Sequence, residues 1–239
     1  NKFHYHPIGT GPFYFQYWEE GVKLVFRKNE NYFEEKDSVS LPFLDAVSIT
    51  FIKDKQSAFL QFIQGNLDFI SGIDGSYKDE ILTKEGLLRN KYKNRLKLHS
   101  QPYLNTEYLG FLMDDSTSVL NNKLIRQAIN YGFDRSKMIK YLRNNIGEAA
   151  IAGFLPNGIP GFSKEVKGYE YDTIKAKQLL KDAGYPNGSG IGEIILHTTS
   201  SYLDLCEYIQ NQLSDIGLNI LIEVNPPSTH RQMVATSKI

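Results

Sequence analysis

The sequence predicts an α/β protein with mixed sheets and βαβ units. The last third carries the strongest signal, because Tyr202–Ile216 repeats apolar residues with a helical period and Leu218–Val224 alternates like a strand. Ile194–Thr198 forms another apolar strand just before that helix. Two strands joined through one helix normally run parallel in a right-handed crossover.

The first third of the chain is predicted to be rich in strands. Val47, Ile49 and Phe51 alternate with polar residues and are expected to face inward. Asp54 is placed to cap a helix, so a strand, a helix and a further strand predict another βαβ unit. The predicted elements are a hairpin of two strands, a third strand, the capped helix and a fourth strand: Phe13–Trp18, Val22–Lys28, Ala46–Ile52, Lys55–Gln64 and Leu67–Ile70.

The pattern changes in the middle of the chain from strand-rich to helix-rich. Leu96–Gln101 and Tyr108–Met113 are strand candidates on either side of a proline. We therefore predict a domain crossing here, with domains at 1–105 and 106–239. The basic stretch Arg89–Lys97 just before the crossing is interpreted as a solvated surface.

The stretch Leu120–Arg135 predicts two helices joined by a tight break. Gly132 is expected to end the first helix in a left-handed conformation. Asp134 is placed to cap a second helix over Arg135–Leu142. Arg126 lies on a mostly apolar helix, so it is expected to have an acidic or carbonyl partner.

A long apolar loop follows this helix pair. Gly147–Phe162 contains four glycines and two prolines mixed with apolar residues. Such loops line a pocket or cover the core, and both alternatives stay open at this point. Asp172 then caps a helix over Thr173–Ala183, which carries an apolar stripe on one side.

Composition excludes several function classes. The 239 residues include 27 Lys and Arg and 27 Asp and Glu, so the basic excess of a nucleic-acid surface is missing. No apolar run reaches the roughly 18 residues of a membrane span. Cys206 is the single cysteine and is interpreted as a buried apolar residue.

No arrangement of reactive residues predicts catalysis or a metal site. His4 and His6 lack further ligands nearby, and Asp114–Asp115 is interpreted as a turn. His197 and Asp204 could be drawn as a hydrolase triad with either Ser200 or Ser201, but the nucleophile-elbow motif is absent. We therefore predict a protein that is not an enzyme and that carries no cofactor.

One stretch resembles a known family. Leu120–Arg135 is similar to the "R-Q-A-I-x-Y-x-x-D-R" segment of the family 5 extracytoplasmic solute-binding proteins, the peptide and nickel receptors of ABC importers. Six further stretches resemble family motifs in the same order: Pro7–Phe13, Arg27–Phe33, Leu41–Ile52, Gly65–Asp68, Tyr108–Phe111 and Lys175–Gly188. The residue after Tyr108–Phe111 is Leu112, where the family has asparagine.

The resemblance implies a two-lobed type II periplasmic-binding-protein fold, of which this chain is an incomplete fragment. The implied function is to bind a solute between the lobes and to deliver it to a membrane permease. An oligopeptide or dipeptide is the solute that the resemblance favours most. The implied location is periplasmic or extracytoplasmic, with a lipid anchor on the full-length protein and no nucleic-acid partner. An effector-sensing domain of a transcription regulator is the alternative.

Four residues are expected to line the ligand pocket. Tyr108 and Phe111 lie at the predicted crossing, and Ala152 and Phe154 lie in the apolar loop. Packing between the lobes is the alternative role for these side chains.

Overall fold

The computed structural model describes residues 6–113 and 116–237. The chain divides into two compact units, with the boundary between Tyr77 and Lys78. This boundary differs from the domains expected at 1–105 and 106–239, which stay a prediction. The segment that begins at Lys78 groups with the helical part of the chain because Lys78 and Asp79 contact the side chain of Asn144.

The first unit is built on a three-stranded antiparallel sheet. Its strands are β1 (Phe13–Glu19), β2 (Lys23–Lys28) and β5 (Ala46–Thr50), with β2 in the centre. The predicted hairpin of β1 and β2 is confirmed. A short ladder of β3 (Glu35–Lys36) and β4 (Val39–Ser40) lies in the connection, where side chains are mostly exposed.

One helix follows the sheet. Helix α1 (Lys55–Ile63) begins at the predicted cap, since Asp54 Oδ1 accepts a hydrogen bond of 2.7 Å from the Ser57 amide. The ring of Phe59 is buried and stacks on Tyr77, with 4.4 Å between their centroids. The Tyr77 hydroxyl donates to the Gly72 carbonyl at 2.9 Å, which fixes the chain after the helix.

The predicted βαβ unit in this region is wrong. Leu67–Ile70 is not a strand, and β5 pairs with β2 in the antiparallel sense. A strand exists only where another strand takes its backbone hydrogen bonds, and no described strand does so for Leu67–Ile70. The inward face is also wrong in part, because Ile49 and Phe51 are 42% and 44% exposed while Val47 is half-buried.

The second unit contains six helices and a parallel strand pair within its described residues. Strands β6 (Glu193–Thr198) and β7 (Asn219–Val224) pair in parallel, with helix α6 (Leu203–Ser214) between them in the chain, which confirms the predicted βαβ unit. The elements in chain order are α2 (Lys78–Ile81), α3 (Lys123–Tyr131), α4 (Arg135–Leu142), α5 (Thr173–Asp182), β6 (Glu193–Thr198), α6 (Leu203–Ser214), β7 (Asn219–Val224) and α7 (Pro227–Ala235).

The core of this unit lies between α3, α5, α6 and the strand pair. Ile125, Leu180 and Ile216 are completely buried in it, which is where apolar side chains contribute most to stability. Cys206 is also buried, and burial raises the pKa of its thiol, so it behaves as a small apolar residue.

The helix pair forms largely as predicted. Asp134 caps α4 by accepting a 2.9 Å hydrogen bond from the Lys137 amide. Arg126 finds carbonyl partners, since its Nη1 donates to Leu120 at 2.7 Å and to Asn121 at 2.9 Å.

Glycine is needed at position 132 for a reason other than the predicted left-handed conformation. Its φ of −77° is right-handed, so the expected left-handed end is wrong. A Cβ at Gly132 would lie 2.7 Å from Leu213 Cδ2 and 2.8 Å from Ile216 Cδ1. Glycine therefore lets α6 pack closely against the end of α3.

The two strand candidates near the crossing are wrong. Leu96–Gln101 and Tyr108–Met113 are irregular, and neither pairs with a described strand. Their apolar residues pack in other ways, since Leu109 and Phe111 lie against the core of the second unit. Apolar alternation alone does not produce a strand without a hydrogen-bonding neighbour.

Asn144 joins the start of the second unit to the end of α4. It is 2% exposed and has a left-handed φ of 48°. Its Nδ2 donates to Asp79 Oδ1 at 3.0 Å and to the Thr83 carbonyl at 3.1 Å, and its Oδ1 accepts from Lys78 Nζ at 2.9 Å. Both the nitrogen and the oxygen of its side-chain amide therefore have hydrogen-bond partners.

Candidate ligand-binding surface

The segment 102–108 lies along the apolar loop 147–162. Thr106 Oγ1 donates a 2.8 Å hydrogen bond to the Phe154 carbonyl. The ring of Tyr108 meets that of Phe154 nearly edge-on, with 5.2 Å between centroids and 66° between planes. Leu104 lies so close to Gly158 that a Cβ there would be 2.9 Å from Leu104 Cδ2. Both segments lack regular structure, so these contacts fix their geometry.

The surface made by these contacts is apolar and open to solvent. Tyr108 is 71% exposed and Phe154 is 63% exposed. Exposed aromatic side chains that are held in place are typical of binding surfaces, because burying them on association is favourable. We call Tyr108 and Phe154 the aromatic surface.

The structure places the four predicted pocket residues differently. Tyr108 and Phe154 come together on the aromatic surface, although they are 46 positions apart. Phe111 is half-buried and packs against the core of the second unit. Ala152 is half-buried in the loop, two positions before Phe154. Ligand contact by any of the four stays a prediction.

A backbone hydrogen bond ties the apolar loop to the segment that follows it. The Gly168 amide donates to the Ile151 carbonyl at 3.0 Å, and a Cβ at Gly168 would be 2.3 Å from that oxygen. Gly153 has a left-handed φ of 94° and lies against Val166. The loop thus has a defined path that presents Phe154 on the surface.

A contact between a carboxylate and a tyrosine next to the aromatic surface was missed from the sequence. The charge of Glu107 raises the pKa of the Tyr202 hydroxyl, and burial and a hydrogen bond to Glu107 act in the same direction. Tyr202 lies just before α6, so this contact joins the crossing segment to the start of that helix. The sequence signal was the position of Glu107 beside Tyr108, but its partner is far away in the chain.

An ion pair lies at the same end of α6. Arg143 donates to both carboxylate oxygens of Asp204, at 2.6 Å and 3.1 Å. His197 Nδ1 lies instead 3.2 Å from Glu223 Oε2. Asp204 and His197 are thus engaged with different partners, and their contacts do not assemble the hydrolase triad considered from the sequence.

The Arg143–Asp204 pair predicts an acid-sensitive contribution to stability. Burial raises the pKa of the Asp204 carboxyl, but the hydrogen bond and the charge of Arg143 lower it by a larger amount. The pKa of Asp204 therefore lies below the ordinary value of 3.8. A pKa lowered by folding adds stability above the unfolded-state pKa, and this stability is lost as pH falls through the folded-state pKa.

The variant Asp204→Asn should therefore unfold more easily than the parent protein at neutral pH. The difference should shrink as the pH falls below about 4, where the unfolded carboxylate is protonated. Urea unfolding between neutral and acidic pH measures it. Asp182→Asn is the control, because Asp182 is exposed and its described partner is the neutral Gln178. A gap for Asp204→Asn that stays constant with pH would contradict the assignment.

The described residues contain neither a cluster of metal ligands nor a helix that could span a membrane. Among the described residues, no three histidine, cysteine, aspartate or glutamate side chains come together to hold a metal ion. His4 and Asp114–Asp115 lie outside the described residues. No described helix has both the length and the apolar character needed to cross a bilayer.

Similar proteins are known in sequence and in structure. The oligopeptide-binding protein AppA of Bacillus subtilis is 28% identical over 234 residues, covering 91% of this chain and 39% of AppA. The glutathione-binding protein GsiB of Escherichia coli O157:H7 is 26% identical, covering 90% of this chain and 38% of GsiB. The chain thus spans about two fifths of the length of these relatives.

Solved structures show the same fold. DppA from Helicobacter pylori in complex with the peptide STSA has a TM-score of 0.67 and 27% identity, covering 95% of this chain and 41% of DppA. NikA from Brucella suis in complex with Fe(III)-EDTA has a TM-score of 0.77 at 20% identity, covering 98% of this chain and 47% of NikA, and shows the fold alone. The fold is that of the periplasmic binding proteins, as expected from the sequence.

The family assignment rests on nearly the whole chain. Residues 1–238 match the family described as bacterial extracellular solute-binding proteins, family 5 middle. AppA, GsiB and DppA are named as binding proteins, and none of the relatives given above is named as a transcription regulator. The chain therefore belongs to the family 5 bacterial extracellular solute-binding proteins.

Proposed function

We propose that this chain is the central part of the substrate-binding component of an ABC importer, and that its solute is a peptide. The observation that carries the proposal is the aromatic surface, where Tyr108 and Phe154 are exposed yet held in contact. The names of AppA and of the DppA complex with STSA support a peptide over other solutes.

The chemistry of the surface suits a short peptide. Aromatic rings bind apolar parts of many side chains without strict selection, and the tyrosine hydroxyl adds hydrogen-bonding capacity. A peptide backbone supplies the same donors and acceptors whatever its sequence, so affinity through the main chain tolerates variation. Tyr108, Phe111, Ala152 and Phe154 remain the proposed contacts, and the exposed pair Tyr108 and Phe154 is the first to test.

The proposed cycle uses the whole protein. A solute would be enclosed as two lobes close by a hinge motion, which removes it from water. The closed protein would then deliver it to a permease in the membrane. We also propose that the full-length protein is held outside the membrane by a lipid anchor, and mass spectrometry of the mature N-terminus tests this.

The variant Phe154→Ala should weaken peptide binding by the full-length protein. Loss of an aromatic contact in the centre of an interface costs about 1–2 kcal/mol, so the Kd should rise roughly 5- to 30-fold. Titration calorimetry with the tetrapeptide Ser-Thr-Ser-Ala measures it. The control is Ile174→Ala, which removes an apolar side chain that is 83% exposed on α5. An unchanged Kd for Phe154→Ala would contradict the proposed surface.

The substrate class needs a separate titration. Glutathione and a nickel–histidine complex are offered to the same protein under the same conditions. Tighter binding of the tetrapeptide than of both alternatives is the expected result. Tighter binding of the nickel–histidine complex would overturn the peptide assignment while leaving the role of a solute receptor intact. Tighter binding of glutathione, which is itself a γ-linked tripeptide, would keep the peptide class and contradict only the choice of an ordinary α-linked peptide.

A further inference from the structure

A second surface of the protein is strongly basic. Arg89, Lys91, Lys93, Arg95 and Lys97 occupy alternate positions of residues 89–97, and all five are exposed. The residues between them are two asparagines, a tyrosine and a leucine, so this stretch contains no carboxylate. We call these five cationic side chains the basic surface. It shares no residue with the aromatic surface.

The backbone that carries the basic surface is fixed by buried contacts. Tyr92 is 7% exposed, and its hydroxyl donates to Glu80 Oε1 at 2.8 Å. The Arg89 amide donates to the Ile81 carbonyl at 2.9 Å, and Leu82, which is completely buried, pairs with Leu88 in a single antiparallel bridge. The cations are therefore presented on an ordered turn, since Tyr92 anchors the centre of the stretch.

Nearby carboxylates neutralise only part of this charge. Residues 80–97 contain six lysines and arginines but only two glutamates, Glu80 and Glu85. Lys91 makes an ion pair with Glu80, whereas Arg89 Nε donates to the neutral Leu82 carbonyl at 3.1 Å. The whole chain is electrically neutral, so this positive charge is a local feature.

The basic surface borders an open cavity with both polar and apolar walls. The cavity has a volume of about 470 Å³ and is lined by three of the cations and by Glu85, together with Leu87 and Leu88. Leu87 is 62% exposed. Cations beside an exposed leucine fit a partner that offers negative charge on its surface and apolar groups just beneath it.

We propose that the basic surface binds the anionic phospholipid headgroups of a membrane. Clusters of four to eight lysines and arginines bind acidic bilayers through the negative potential of the headgroup surface. The family is extracellular, so a membrane surface is available to its members. A nucleic acid fits less well, because Tyr92 is buried and offers no ring for base stacking.

Vesicle co-sedimentation tests the proposal with full-length protein that has not been acylated. The probes are vesicles of phosphatidylcholine with phosphatidylglycerol, and pure phosphatidylcholine vesicles as the neutral reference. We expect binding to the acidic vesicles alone, and high salt should abolish it. Equal binding to both vesicles, no binding to either, or binding that salt does not weaken would overturn the proposal.

A triple variant assigns the binding to the basic surface. Lys93→Gln, Arg95→Gln and Lys97→Gln together should weaken partition into acidic vesicles roughly a hundredfold, since each lost cation is worth about fivefold. The control is Lys164→Gln, Lys177→Gln and Lys181→Gln, which removes the same charge from exposed positions elsewhere. Equal losses in the two variants would overturn the assignment, as would no loss in the first. Circular dichroism confirms that both variants are folded.

Discussion

Replacing Gly217 by alanine should destabilise the second compact unit by about 3–5 kcal/mol. Gly217 ends α6 with a left-handed φ of +93°, and a Cβ there would lie 2.0 Å from the Asn187 carbonyl oxygen. The approach is mutual, because a Cβ at Gly188 would lie 2.0 Å from the Gly217 oxygen. Both contacts are with backbone atoms, so no side-chain rotation can relieve them. Urea unfolding measures the loss.

Gly184→Ala is the matched control for this substitution. Gly184 follows α5 with the same φ of +93°, but no atom lies within 4 Å of the Cβ that alanine would add. The left-handed conformation alone costs an alanine about 1–2 kcal/mol, so Gly184→Ala should lose only that amount. Equal losses at Gly184 and Gly217 would show that the turns after α5 and α6 do not pack as closely as described.

Replacing Asn144 by alanine should cost about 3 kcal/mol. The substitution removes three hydrogen bonds and leaves the Thr83 carbonyl and the Lys78 ammonium without the buried amide. Asparagine also tolerates the left-handed φ of 48° better than alanine does. Hydrogen exchange should show that α2 loses protection first, because Asn144 is its link to the end of α4.

The neighbouring residue provides the control for Asn144. Asn145 is also left-handed, with a φ of 58°, but it is exposed and donates one 2.7 Å hydrogen bond to the Lys84 carbonyl. Asn145→Ala keeps the conformational cost and loses little else, so about 1–2 kcal/mol is expected. If Asn144→Ala were no more harmful than Asn145→Ala, the buried amide network would not be a source of stability.

Local signals in the sequence were reliable. The predicted caps Asp54, Asp134 and Asp172 all accept hydrogen bonds from the first turn of their helices. A cap depends on residues only three positions apart, so the chain encodes it without help from the fold. The parallel pair of β6 and β7 was also predictable, because the helix between them fixes the partner of each strand.

Features that depend on distant partners were not predictable. The strands expected at Leu67–Ile70, Leu96–Gln101 and Tyr108–Met113 are absent, since a strand is defined by a neighbour that its own sequence does not specify. The contact of Glu107 with Tyr202 was missed for the same reason. In contrast, Tyr108 and Phe154 were chosen from the crossing and the loop separately, and the structure brings them into contact.

The hydrogen bond from Thr106 to Phe154 joins residues 48 positions apart, and the whole of α3 and α4 lies between them. A solute that bridged Tyr108 and Phe154 would act as a removable crosslink across that stretch. Bringing the two ends of this long segment together costs chain entropy. A ligand that binds only when the two ends are in contact stabilises that contact by mass action. Solute affinity and the folding equilibrium of the α3–α4 pair would then be thermodynamically linked.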